Sequence, residues 1–219
     1  MLVDDLASDI VAAAKRLQGL VLETPLEESP ALSERIGGSV FLKLENTQRT
    51  GSFKLRGALN KLLTLDVESR GRGVVTASSG NHGLAVAYGA RALGVRAEVY
   101  VPRGASAAKL DRIRSLGADL RIEGDDGLES ETTARQVAVD SNRTYVSPYN
   151  DPTVVAGQGT VGLEIVSAMD AAVSPAGTNI GSSRAGPLDA VFVALGGGGL
   201  VAGIAAALKR TWPDVEVVA

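Results

Sequence analysis

The sequence predicts an α/β fold built around mostly parallel sheets. Short β-branched runs alternate with helix-period stretches along the whole chain, and most of these runs are apolar throughout. Two of them end in glycine-rich turns that open a helix. Apolar strands, each followed by a helix, imply sheets covered on both faces.

The candidate strands are VFLKL (40–44), GVVTA (73–77), RAEVYV (96–101), ADLRI (118–122), AVFVAL (190–195) and VEVVA (215–219). Helical periodicity covers Phe53–Leu65, His82–Leu93, Ala107–Leu116, Leu128–Val139, Val154–Ala168 and Leu200–Lys209. The segment VSPAGTNIGSSRAGP (173–187) breaks the rhythm with Gly, Ser and Pro and reads as a flexible surface excursion. VEVVA reads as a buried strand in which the chain stops, as an interruption would.

Composition excludes several classes. With 219 residues and a net charge of −3, the chain can bury a core but offers no basic footprint for nucleic acid. It has no cysteine and one histidine, which removes disulfides, thiolate nucleophiles and multi-histidine metal sites. The amphipathic start MLVDDLASDIVAAAKRL lacks the basic, continuously apolar form of a signal peptide. No stretch reaches the length of a membrane span. A cytoplasmic protein without a membrane partner is the expectation.

Three features carry chemistry. ALGGGGLVAGIAAALK (194–209) is a strand end, four glycines and a helix start, a pattern that turns backbone N–H groups and a positive helix end toward an anion. It fits neither the dinucleotide fingerprint nor the Walker loop, because Val201 stands at the third glycine position and no Gly-Lys-Ser/Thr follows. TASSGNHGLAVAYGARALG (76–94) repeats the design at another strand end. A side-chain N-cap from Ser79 or Asn81 would explain one polar residue there, worth about 1 kcal/mol, but not the whole run. A serine hydrolase fails for want of a second histidine and of the expected residue order. The third feature is Lys54 in TGSFKLRGALNKL (50–62), alone an ordinary helix-start lysine. A phosphate cradle, a carboxylate cradle and a lysine together suggest pyridoxal 5'-phosphate (PLP), which is held through a lysine amine.

KLENTQRTGSFKLRGA (43–58), SSGNHG (78–83), AGQGTVGLEI (156–165) and GGGGLVAGIA (196–205) together resemble the serine/threonine dehydratase and serine racemase group of fold-type II, tryptophan synthase β-like PLP enzymes. The resemblance implies two three-layer α/β domains, with residues 1–72 and 147–219 in a large PLP-binding domain and 73–146 in a small substrate-loop domain. It implies Lys54 as the Schiff-base lysine and α-carbon base, Phe53 beside the cofactor and Asn81 on its phenolic oxygen. Gly196, Gly197, Gly198, Gly199 and Leu200 would bind the phosphate. Ser78, Ser79, Gly80, Asn81 and His82 would bind the substrate carboxylate, with Ser79 also the second acid/base position.

The implied reaction is PLP-dependent elimination from L-threonine, L-serine or a similar β-hydroxy amino acid, giving a 2-oxo acid and ammonia. The alternatives are an amino-acid racemase, a hydroxyaspartate dehydratase or a truncated, inactive fragment. Family members continue beyond the point matching Ala219, so the large domain is expected to be incomplete. The segment with the pyridine-nitrogen partner and the acidic metal ligands of some members has no counterpart here, and no metal site is assigned. A homodimer or higher homo-oligomer is expected from the resemblance.

Overall fold

The computed structural model describes residues 3–172 and 187–219; the excursion expected over 173–187 lies, but for Pro187, outside the described residues. The chain begins with helix α1 (Val3–Leu17), which buries Leu6, Ile10, Ala13 and Leu17 at helical spacing. Strand β1 (Leu26–Glu28), helix α2 (Pro30–Ile36) and strand β2 (Phe41–Lys43) follow, then a 3₁₀ turn over Glu45–Thr47. Helices α3 (Lys54–Thr64) and α4 (Val67–Arg72) lead into strand β3 (Val74–Ala77) and helix α5 (Asn81–Leu93). Next come β4 (Ala97–Val101), α6 (Ala107–Ser115), β5 (Asp119–Ile122), α7 (Gly127–Asp140) and β6 (Thr144–Tyr145). The chain ends in α8 (Pro152–Ala172), β7 (Ala190–Phe192), α9 (Gly199–Thr211) and β8 (Glu216–Val218).

Strands β5-β4-β3-β6 form a parallel sheet in that order. Every residue of β3 and β4 is buried, Thr76 and Glu98 included, as strands covered on both faces require. One face packs Val99 and Val101 against Leu84, Leu110 and Ile113 of α5 and α6. The other packs Val75 and Tyr100 against Ala134 and Ala138 of α7. The outer strand β5 is largely exposed, because it has a neighbour on one side only.

Of the remaining strands, one pair departs from the expected parallel pattern. β1 and β2 form an antiparallel pair, and β7 pairs with β8 in parallel. Sequence reading missed β1, whose LEE carries two outward carboxylates, and β6, which is two residues long. An apolar trough of about 920 Å³, lined by Leu26, Phe41, Val161, Leu188, Val191 and Ile204, separates β2 from β7.

Helix α8 is the axis of this second region. The glycines of AGQGTVG are where α3 and α9 press directly upon it. A Cβ on Gly157 would stand 2.6 Å from Arg56 O and from Gly57 Cα. A Cβ on Gly203 would stand 2.6 Å from Val155 O and 2.8 Å from Gly159 Cα. These are backbone contacts, which no rotamer change can relieve.

A buried ion cluster fastens the same helices to the β1–β2 pair. Arg56 has no exposed surface and grips two carboxylates, Glu45 (Nε–Oε2 2.9 Å, Nη2–Oε1 2.7 Å) and Glu164 (Nη1–Oε1 2.5 Å, Nη2–Oε2 2.9 Å). Lys43 binds Glu164 at 2.6 Å, so two cations meet two carboxylates. Burial alone would lower the Arg56 pKa, but the two carboxylates outweigh it and hold the pKa raised.

Gly157→Ala should cost about 1–3 kcal/mol in urea unfolding, since an extra methyl must push a pair of backbones apart. Gly71→Ala, in a helix with nothing within 4 Å of the added Cβ, should be neutral or stabilising by up to about 1 kcal/mol. Equal effects at both positions would contradict the packing account.

Candidate active site

Lys54 is the first residue of α3, and its side chain is half-buried. Its Nζ donates to Pro148 O at 2.6 Å and lies 5.2 Å from the centroid of the Phe53 ring. Burial lowers the amine's pKa from its ordinary value. The positive end of α3, which no side chain caps, acts in the same direction. Burial thus favours the neutral amine, the form with a lone pair, relative to an exposed lysine.

The SSGNHG loop joins β3 to α5 at the carboxyl edge of the sheet, where open parallel sheets place their sites. The N-cap of α5 is Gly80, and no side chain caps the helix. The one-residue capping explanation for this run therefore fails, and the first N–H groups of α5 remain available to a ligand. Ser78 Oγ accepts from Gly80 N at 3.1 Å, tightening the turn; Ser79 is half-buried and Asn81 exposed.

His82 turns inward. Its imidazole is 2% exposed, and Nε2 lies 3.0 Å from Val146 O. Since a carbonyl can only accept, Nε2 carries the proton, leaving Nδ1 a bare acceptor, buried without a partner. Burial, aided by the nearby Lys54 and opposed by the Val146 bond, lowers its pKa to about 4. The part of His82 that can face a ligand is its backbone N–H.

The glycine run leads from β7 into α9. Gly198 is the N-cap, in the left-handed region at φ 83°, and again no side chain caps the helix. A Cβ on Gly196 or Gly198 would meet nothing within 4 Å. One on Gly197 would lie 2.3 Å from Tyr149 Cγ, and one on Gly199 would lie 2.5 Å from Tyr149 O. Leu200, just inside the helix, packs into the core with Phe53.

Sequence reasoning missed the segment that joins these elements. Residues 146–150, VSPYN, leave β6 beside β3. Val146 O takes the His82 bond, Pro148 O takes Lys54, and Tyr149 supports the glycine run. Ser147 and Asn150 close the turn through a side-chain hydrogen bond of 2.5 Å. The residues present fit PLP: a lysine with a lowered pKa for its aldehyde, and an open, uncapped helix start for its phosphate.

A family model for "Pyridoxal-phosphate dependent enzyme" matches residues 17–219. The L-threonine ammonia-lyase of Thermotoga maritima is 40% identical over 210 residues, which are 96% of this chain and 48% of that protein. The processed form of threonine deaminase isoform 2 from Solanum lycopersicum superposes with a TM-score of 0.85 at 34% identity, covering 98% of this chain and 54% of that one. Serine racemase from Dictyostelium discoideum gives 0.83 at 33% identity, covering 96% of this chain and 64% of that one. The chain spans about half the length of the relatives it matches. With the matched span taking in Lys54, the SSGNHG loop and the glycine run, the chain belongs to the pyridoxal-phosphate dependent enzyme family.

Proposed function

We propose that this chain carries the cofactor- and substrate-binding half of a PLP-dependent ammonia-lyase acting on L-threonine, L-serine or a similar β-hydroxy amino acid. The observation that carries the reading is Lys54: a half-buried amine with a lowered pKa, tied through VSPYN to two uncapped helix starts. The likeness to threonine ammonia-lyase and threonine deaminase supports the choice of substrate class. Residues 1–72 and 147–219 are proposed as the cofactor domain and 73–146 as the substrate-side domain, although the core packing Leu55 and Leu59 against Val74 and Ala85 runs across that division.

PLP, when bound through a lysine, supplies an electron sink for the charge left when an α-proton is removed. Lys54 Nζ would hold the cofactor and, once the substrate's own amine has displaced it, would be free to take that proton; burial favours the neutral amine this needs. The backbone at Gly196–Gly199, with Leu200, would hold the phosphate, Phe53 would pack beside the ring and Asn81 would meet its phenolic oxygen. Ser78, Ser79, Gly80, Asn81 and His82 bind the substrate carboxylate, chiefly through N–H groups at the start of α5. The His82 imidazole is no acid/base group in this scheme, because it is buried and bonded to Val146.

A second reading, amino-acid racemase, is favoured by the likeness to serine racemase and by Ser79 at the loop. Keto-acid release against D-isomer formation from L-serine and L-threonine separates the two. None of the described helices is long and apolar enough to cross a membrane. Action in the cytoplasm and assembly into a homo-oligomer complete the proposal.

Incubation with PLP followed by borohydride reduction should place a pyridoxyl group on Lys54 and nowhere else, and Lys54→Ala should abolish the adduct. Modification of other lysines at equal yield would sink the assignment. Because His82 is the single histidine, its ring nitrogens can be followed directly by NMR. The neutral, Nε2-protonated form should persist down to about pH 4. The unfolded chain binds this proton first, so stability falls as pH drops from about 6.5 toward 4, by about 3 kcal/mol in all. That slope should weaken in His82→Gln; a ring that titrates normally near pH 6.5 would refute the buried-neutral assignment.

A further inference from the structure

The glycine run has two unlike sides. On one side, a Cβ at Gly196 or Gly198 would enter open space. On the other, a Cβ at Gly197 would strike the Tyr149 ring, at 2.3 Å from Cγ and 2.8 Å from Cδ1, and one at Gly199 would strike the Tyr149 carbonyl. Two of the four glycines therefore have a reason independent of any anion: they admit Tyr149 against the back of the loop.

Tyr149 is also tied outward. Its hydroxyl donates to Glu131 of α7, 3.2 Å from Oε1 and 3.3 Å from Oε2. Glu131 in turn is held by Arg135 (Nη2 2.7 Å, Nε 2.9 Å), whose guanidinium lies 4.3 Å from the centroid of the Tyr145 ring on β6. The preceding residue, Pro148, holds Lys54. One side chain thus links the glycine run to the helix covering the parallel sheet, next to the contact that orients the lysine.

We propose that Tyr149 is a positioning residue for the cofactor's phosphate: its ring braces the glycine run from behind, and its bond to Glu131 sets that brace relative to α7. The inference rests on the reading of Gly196–Gly199 as the phosphate cradle. It requires no contact between Tyr149 and the cofactor. Shape is imposed on a glycine backbone that would otherwise sample many conformations.

The test compares PLP with pyridoxal, which carries the same aldehyde and ring but no phosphate, each titrated against the full chain by the absorbance of its lysine adduct. In the wild type PLP should bind more tightly than pyridoxal. Tyr149→Ala should lower the PLP-to-pyridoxal affinity ratio about tenfold while pyridoxal binding stays within about twofold, since only the phosphate contribution is lost. Tyr149→Phe, which keeps the ring and loses the bond to Glu131, should lower the ratio by an intermediate factor. Gly197→Ala, which pushes the ring away with Tyr149 in place, should reproduce the Tyr149→Ala signature and covers the case in which that variant fails to fold. Parallel loss of PLP and pyridoxal affinity in the folded variants, or an unchanged ratio, would overturn the proposal. A wild type with no preference for PLP over pyridoxal would instead overturn the phosphate cradle itself, and the brace with it.

Discussion

The arrangement depends on backbone-to-backbone contact between α8 and the two helices crossing it. Gly157 admits the turn of α3 containing Arg56 and Gly57, while Gly159 and Gly203 bring α8 and α9 together. Lys54 is the first residue of α3 and Gly199 the first of α9. The amine and the uncapped helix start that would receive the two ends of PLP are therefore fixed relative to one helix. Side-chain packing would leave more slack, because rotamers can adjust and backbones at this separation cannot.

The Arg56 cluster adds direction to that contact. Packed glycines set how closely α3 approaches α8, and two carboxylates gripped by one guanidinium reinforce a single register. Glu45 follows β2 and Glu164 lies on α8, so Arg56 also sets the β1–β2 pair against the helices. Its net worth in stability is modest, since desolvating four charges offsets much of their attraction. Removing one partner would strand a buried charge, and the cluster is thus more sensitive to substitution than its net contribution suggests.

The alternation of strands and helices was legible because β3 and β4 are buried on both faces and the main helices around them have one apolar side. The glycine run, the SSGNHG loop and Lys54 were legible because their residue types are costly without a ligand or a close approach. The VSPYN segment was not. It acts through the carbonyls of Val146 and Pro148, which every residue possesses, and it leaves a strand too short to show a period. A proline flanked by polar residues between an apolar run and a helix start was the only hint. The antiparallel β1–β2 pair escaped for a related reason: LEE carries no apolar alternation. The approach of Tyr149 to the glycine run was not legible either, because it joins residues about fifty positions apart.

Burial lowers the pKa of Lys54, and the uncapped start of α3 adds positive backbone polarity beside it. Both α5 and α9 present partial positive charge toward ligands expected to be anionic, and α3 presents the same to its own first residue. A protonated Lys54 would add charge to a region already positive and poorly solvated. A neutral Lys54 can donate one N–H to Pro148 O and keep its lone pair clear. The carbonyl orients the amine, while burial lowers its pKa and so favours the neutral form. Under the proposed function, backbone polarity would serve anion binding at α5 and α9, while burial of Lys54 would favour its neutral amine.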